Sequence, residues 1–290
     1  MAEKNKDMDK EYEQISGLLH ETNRRSVELA KEKGASSWLT CLPLEKLGYV
    51  LNKMEFRDSI ALRYGWPIKN IPKFCASGVE NDIDHILSCK KGGYVSLRHN
   101  SLRDATANIL RTICKDVQVE PTLSPTTQEL VRGTTSDDGA RLDVSVRGLW
   151  SPFEKTLIDV RVTHPNAPSN RSKSAVQIYK EHENQKKRLY LDRILQVEKA
   201  SFTPLVFSTT GGAAPEAKRF IKQVASRIAE KKHEKFSDAI SYLRTRLRFT
   251  ILRATLIAVR GYRGKPCHEH VNEEDISFNL IPAKDTYESR

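Results

Sequence analysis

Two short stretches, Ala140–Val146 and Thr156–Thr163, alternate apolar and polar residues with the period of two that marks a half-buried β-strand. A turn-like Gly148-Leu-Trp-Ser-Pro152 separates them. In the second stretch Leu157, Asp159 and Arg161 fall on one face, and Ile158, Val160 and Val162 on the other. In the first, Arg141, Asp143 and Ser145 share a face. The period then changes, because Tyr179, Glu183, Lys186 and Tyr190 recur at i, i+4, i+7 and i+11 along one helical face. Upstream, Leu102, Ala105, Ile109, Leu110 and Ile113 predict a helix over Arg98–Asp116, followed by a Val117–Glu120 strand. Downstream, Phe202–Ser208 reads as a short buried strand and Glu216–Lys232 as a helix of basic and apolar residues. Phe236, Ile240, Leu243, Leu247 and Ile251 form the apolar stripe of a long amphipathic helix over Phe236–Arg260. The order is therefore α/β, near αβββαβ with a mixed sheet, followed by C-terminal helices.

The first third of the chain carries a different pattern. Residues 1–35 are charged, nearly balanced in sign and poor in large apolar side chains, which predicts a surface helix or a partly disordered segment. From Ser36 to Tyr64 the spacing of Trp38, Leu39, Leu42, Leu44, Leu47, Val50 and Leu51 is that of a packed helical unit. A helix over Met54–Tyr64 is stopped by Gly65-Trp66-Pro67. Four segments result: 1–35; a helical 36–95; the α/β unit over 96–265; and an acidic tail over 266–290. No run of eighteen apolar residues offers a membrane span, and the N-terminus has no apolar h-region.

Charge adds a partner. The chain of 290 residues carries a formal +11, and between Arg171 and Lys265 there are 22 Lys/Arg against 8 Asp/Glu. The remainder is near neutral. A basic half of this kind predicts a polyanion, of which nucleic acid is the commonest. Arg244, Arg246, Arg248, Arg253 and Arg260 lie largely off the apolar stripe of the last helix and predict a rail for the DNA backbone, although a solvated basic helix has the same pattern. The 5 widely spread cysteines fit a reducing compartment better than a disulfide framework.

Two places carry candidate chemistry. If the two strands pair with their polar faces together, Asp143 and Asp159 converge where an apolar sheet would not want them. Unpaired buried carboxylates are costly, so a cation belongs between them, and oxygen ligands suit Mg²⁺ or Mn²⁺. The helix face that follows aims Lys186 at such a metal. On spacing alone, exposed strand acids and a solvated helix face fit as well. The second place is Cys75-Ala-Ser77-Gly78, followed by His85 and Cys89 at i, i+4. Cys75, His85 and Cys89 could ligate Zn²⁺, but Ser77 stands where a fourth ligand is wanted, leaving His99, a water or nothing. Cys267-His268-Glu-His270 is a further Cys/His group, in a polar tail.

Gly139-Ala-Arg-Leu-Asp143, Ile158-Asp159-Val160-Arg161 and Lys186-x-x-x-Tyr190 together resemble a PD-(D/E)XK nuclease core. With the upstream Cys/His knuckle and Arg98-His99-Asn100, and with Thr203–Gly212 downstream, the chain resembles the restriction-like endonuclease at the C-terminus of non-LTR retrotransposon polyproteins. That resemblance implies a Mg²⁺-dependent DNA endonuclease of the nucleus. Its metal would be held by Asp143, Asp159, the Val160 carbonyl and Asp104, with Glu120 the rival of Asp104. The usual motif lysine is Arg161 here, and a guanidinium stays protonated but can clamp a phosphate oxygen. The family's relocated helix lysine would be Lys186, oriented by Tyr190. The cut would expose a 3′-hydroxyl for a reverse transcriptase with its RNA. A decayed, domesticated DNA-binding module and a structure-selective junction nuclease share the same features.

Overall fold

The computed structural model describes residues 2–124 and 141–261. Among these, helices α1 (Ala2–Leu18), α2 (Glu21–Lys31), α3 (Ser37–Thr40), α4 (Lys53–Tyr64), α5 (Ile83–Ser88) and α6 (Tyr94–Arg111) precede the first strand. Strands β1 (Lys115–Val119), β2 (Val144–Arg147) and β3 (Lys155–Thr163) follow, then α7 (Ala175–Arg193), β4 (Ser201–Ser208), α8 (Pro215–Lys232) and α9 (Phe236–Arg260). The sheet order is β1-β2-β3-β4, antiparallel across the first two junctions and parallel between β3 and β4. The chain is thus α/β with a four-stranded mixed sheet. Parallel neighbours need a crossover, and α7 supplies it between β3 and β4.

The alternation in the strands sorts their side chains into two layers. Val144, Val146, Ile158, Val160, Leu205 and Phe207 pack against α6, α8 and α9 through Leu102, Leu110, Phe220 and Leu243. On the opposite face Leu157 meets Leu142, Ile194, Ala200 and Tyr190, while Val206 meets Tyr179 of α7. Asp159 and Arg161 share a strand face with Leu157, so they lie on the α7 side. Helices α7 and α4 each begin with a capping box, Ser174 with Gln177 and Asn52 with Glu55, which satisfies free N–H groups of the first turn.

Three expectations need correction. The strand read as Ala140–Val146 is regular only over Val144–Arg147, although Asp143 still bonds to both neighbours, its N–H donating to Ile158 O and its C=O accepting from Glu120 N. The helix expected over Arg98–Asp116 runs from Tyr94 to Arg111, entered at Gly93 with φ 71° and ending where the chain turns into β1. The segment over 1–35, expected as a surface helix or partly disordered, is helical over Ala2–Leu18 and Glu21–Lys31, and its second helix is docked. Arg25 of α2 donates to Asn166 Oδ1, Pro165 O, Asn170 O and Arg171 O, and Leu29, Ala30 and Ala35 are buried.

Helix α9 joins the two halves. Its Leu243, Leu247 and Ile251 face the sheet layer. Its Phe249, Leu252 and Leu256 pack on Trp38 and Tyr49, and Ala258 and Val259 on Ile68, Ile86 and Leu87. The helical segment 36–95 therefore lies along the same helix as the α/β unit. No helix of the described residues is long and apolar enough to cross a membrane. Gly139, Ala140, most of the Thr122–Asp138 loop, the Cys267/His268/His270 group and the acidic tail lie outside the described residues.

Candidate metal and phosphate-chemistry site

The β2–β3 register pairs Val144 with Ile158, so Asp143 and Asp159 are the next residues along each strand where the ladder ends. Asp143 is held from two sides. Its Oδ1 lies 2.8 Å from His99 Nε2 on α6, and its Oδ2 accepts from the Val160 N–H at 2.5 Å. Asp159 is 5% exposed, and Lys186 Nζ of α7 lies 2.7 Å from its Oδ2. Lys186 is thus the cation that meets the buried Oδ2 directly.

The electrostatics follow from this layout. Burial raises the Asp159 pKa, the Lys186 charge opposes the rise, and the nearby Asp143 charge adds to it. His99 is raised above the ordinary imidazole range, first by its hydrogen bond to Asp143 and against desolvation. Both carboxylates lie within electrostatic reach of one histidine. Two neighbouring carboxylates are oxygen donors of the kind a hard cation takes, and three of their four oxygens are met here by Lys186, His99 and the Val160 N–H.

The helix face predicted to carry the amine does reach the strand. Lys186 meets Asp159 and lies 5.7 Å from the centroid of the Tyr190 ring, which in turn packs on Phe202. Lys187 points elsewhere, with its Nζ 2.7 Å from Glu216 Oε1. Arg161 donates to Gln185 Oε1 at 2.7 Å, and burial lowers its pKa. Tyr179 and Glu183, on the Lys186 face, are tied inward: Tyr179 donates to Glu32 and Glu183 accepts from the Glu216 N–H.

Two assignments around the acid pair change. Asp104 is half exposed and its carboxylate is paired with Arg103, which also contacts the carboxylate of the rival Glu120; Glu120 reaches Asp143 only through the backbone, its N–H donating to Asp143 O. The α6 residue that reaches the pair is His99, placed one side of Asp143 rather than at the Cys/His knuckle. Val160 touches Asp143 through its amide N–H. His99 was legible as part of Arg98-His99-Asn100, but its partner required the fold.

At the knuckle, Cys75 Sγ, His85 and Cys89 bring their ligand atoms within 4.8 Å of one another, and the group could hold a metal ion such as zinc. The sulfurs are 3.7 Å apart, and Ser77 Oγ is 3.3 Å from His85 Nε2. Burial would raise the Cys75 thiol, but hydrogen bonds involving Ser77, His85 and Cys89 bring it down to about 6. Asp82 caps α5 by accepting from the His85 N–H, and Asp84 anchors α5 to His164 at 3.0 Å and Arg171 at 3.1 Å.

The arginine rail expected on α9 is not a free surface. Arg248 is buried and donates to Ala35 O and Thr209 O. Arg253 donates to Gly48 O and Val50 O, and Arg260 grips Asp58 with Nε and Nη2 while reaching Lys69 O and Asn70 O. Arg244 and Arg246 are half-buried. The reason is that α9 lies between two helical layers, so residues off one apolar stripe face the other layer rather than water.

No protein-family model matches the chain, and no curated protein matches it either.

Proposed function

We propose that the protein is a metal-dependent DNA endonuclease with a PD-(D/E)XK, restriction-like core. The single observation that carries this reading is Lys186 Nζ at 2.7 Å from the buried Asp159, one register step from Asp143. An αβββαβ order with the two acids at the end of the β2–β3 ladder supports it. Asp143 and Asp159 would hold Mg²⁺ or Mn²⁺, which when bound lowers the pKa of a coordinated water and stabilises charge on the scissile phosphate. Lys186, beside Asp159, would position the attacking water and, in its neutral amine form, would accept the proton that water loses; the Tyr190 ring lies 5.7 Å from its Nζ. His99 fixes the Asp143 carboxylate from the α6 side. Arg161 keeps a planar fork near the pair, and exchanging Gln185 for a phosphate oxygen is a change of acceptor.

Zinc at Cys75, His85 and Cys89 would tie the turn at Cys75 to α5 and its C-cap. The partners in this reading are target DNA and a reverse transcriptase with its RNA, and the compartment is the nucleus.

The test is nicking of supercoiled plasmid in Mg²⁺, Mn²⁺ or Ca²⁺ by wild type, Asp143→Asn and Asp159→Asn. Cleavage in the first two ions that both variants lose supports the reading. A wild type as inert as the variants in all three ions, yet still binding DNA, replaces it with the decayed binding module.

A further inference from the structure

Away from the acid pair, a cleft of about 170 Å³ opens between the α2–α3 connection, the turn after β4, and helices α8 and α9. Its walls carry Lys33, Lys218, Lys222, Arg244 and Arg248, and no Asp or Glu. Lys33, Lys218 and Lys222 are exposed at its mouth, whereas Arg248 is only 7% exposed at its back. Among the described residues none of these five cations is in an ion pair. Glu32 borders the adjoining depression, but its carboxylate is held by the Tyr179 hydroxyl at 2.7 Å.

Arg248 is the group that asks for a ligand. Its Nε donates to Ala35 O at 2.9 Å and its Nη1 to Thr209 O at 3.2 Å, while no acceptor among the described residues takes Nη2. Two neutral carbonyls satisfy hydrogen bonds but not charge, and a buried guanidinium without a counter-anion is costly. Desolvation, reinforced by the charge of Arg63, lowers Arg248 to about 9, and desolvation alone lowers Arg244. The turn is shaped to this side chain. Gly211 has φ 93°, and a Cβ there would sit 2.3 Å from Arg248 Cδ, so glycine is required both for the backbone and for the guanidinium's place.

We propose that this cleft binds a phosphate group, with Arg248 at its base, Arg244 on one wall and Lys218 and Lys222 at its mouth. The chemistry is shared by a monoester, as on a nucleic-acid 5′ end, and by a phosphodiester of a passing strand. Arginine and lysine divide the work in the usual way, with a fixed fork inside and mobile ammonium groups outside. The inference does not depend on the nuclease reading, since none of its residues touches Asp143, Asp159 or Lys186.

The experiment uses the full chain in EDTA, at constant ionic strength set with chloride. Inorganic phosphate is titrated while the melting temperature and the ³¹P linewidth are followed, for wild type, Lys218→Gln/Lys222→Gln and Arg244→Gln. Phosphate should raise the melting temperature of wild type above the chloride control, and each variant should bind it at least tenfold more weakly. The two lysines are exposed, so the double variant should keep the wild-type circular dichroism and remains a usable test if the Arg244 variant does not fold. Asp159→Asn should respond as wild type does, which separates this site from the acid pair. A 5′-phosphorylated oligodeoxynucleotide that outcompetes its 5′-hydroxyl twin for the cleft assigns the monoester; equal competition assigns the phosphodiester. Absence of a phosphate-specific shift in wild type, or an equal shift in the lysine double variant, overturns the proposal.

Discussion

The charges of Arg253 and Arg260 on α9 and those around β3 are both partly buried, yet they are settled in opposite ways. On α9, Arg253 and Arg260 are surrounded by carbonyls and carboxylates that fit their donors, and Arg260 meets the buried Asp58 in a two-point grip. At the end of the β2–β3 ladder, two carboxylates share a small space with one lysine and one histidine, and the charge of Asp143 adds to the cost of ionising the more buried Asp159. The first arrangement is what a fold does with charge to hold itself together. The second keeps charge poorly compensated, which costs stability and is retained at sites that handle ions or protons. Basic composition alone does not distinguish the two, because an arginine on a helix reads the same whether it faces water, a carbonyl or DNA.

The largest expected effects come from the acid pair. Asp143→Ala and Asp159→Ala should remove nicking in Mg²⁺ while leaving duplex binding near normal. Lys186→Ala should lose roughly 10²–10⁴-fold in single-turnover nicking, the range of a lost acid–base group. Lys187→Ala should be mild, since its amine is committed to Glu216. A silent Lys186→Ala beside a dead Lys187→Ala would overturn the assignment of the helix face.

The counterpart on α9 should show in stability rather than in catalysis. Arg260→Ala leaves Asp58, 2% exposed, as a buried carboxylate with only the weaker Arg57 contact at 3.5 Å. Breaking a buried pair from one side costs about 3–5 kcal/mol, whereas Arg246→Ala, without such a partner, should stay near 0.5 kcal/mol. Urea unfolding midpoints of the two variants check the difference. Equal, small losses would mean that Asp58 finds another partner and that α9's arginines are dispensable to the fold.

A smaller effect is expected at the knuckle. Three N/S ligands with a serine beside His85 should hold zinc less tightly than four. Ser77→Cys should therefore retain the ion longer against a chelator, and Cys75→Ser or His85→Ala should lose it, as read by metal content after dialysis. A Ser77→Cys protein that loses zinc as fast as wild type would show that Ser77 does not occupy the ligand corner.

What the sequence disclosed here is divided along the same line. The period-two strands, the helix face bearing Lys186 and the i, i+4 pair His85/Cys89 were legible because local periodicity determines which side chains share a face. His99 beside Asp143 was not, since its partner lies 44 residues away and only the packing of α6 against the sheet brings them together. The surroundings of the α9 arginines were not legible for a related reason. A single apolar stripe implies one buried face, but α9 is covered by the sheet layer on one side and by Trp38, Tyr49, Ile68 and Ile86 on others. Nothing in a helical wheel announces a second covering layer. Asp104 illustrates the reverse case, a plausible acid at the expected place whose carboxylate is exposed and paired with its neighbour Arg103.

The smallest expected effect tests how far the strained electrostatics of β3 extend along α7. His182, next to Glu183 on that helix, contacts Thr163 Oγ1 at 3.0 Å through Nε2. Burial, reinforced by the Arg161 charge and opposed by Gln185 and Glu181, lowers its pKa to about 4, with Lys173 acting in the same direction as Arg161. In the unfolded chain the imidazole titrates near 6.5. Below that value the unfolded state takes up a proton that the folded state refuses until about pH 4, so the unfolded chain holds more protons across this window. The contribution of His182 is therefore complete above about pH 6.5 and is lost progressively as pH falls toward 4. His99 has the opposite sign, because its raised pKa makes its pairing with Asp143 strongest at low pH. Subtracting His182→Gln from wild type in urea titrations at pH 7.5, 6.0 and 5.0 isolates the first effect. The variant should lose less stability over this range than wild type, and Arg161→Gln should narrow the same difference by removing one cation that keeps His182 neutral. Parallel curves for wild type and His182→Gln would show that the ring is open enough to water to titrate normally, and would confine the unusual electrostatics to the acid pair itself.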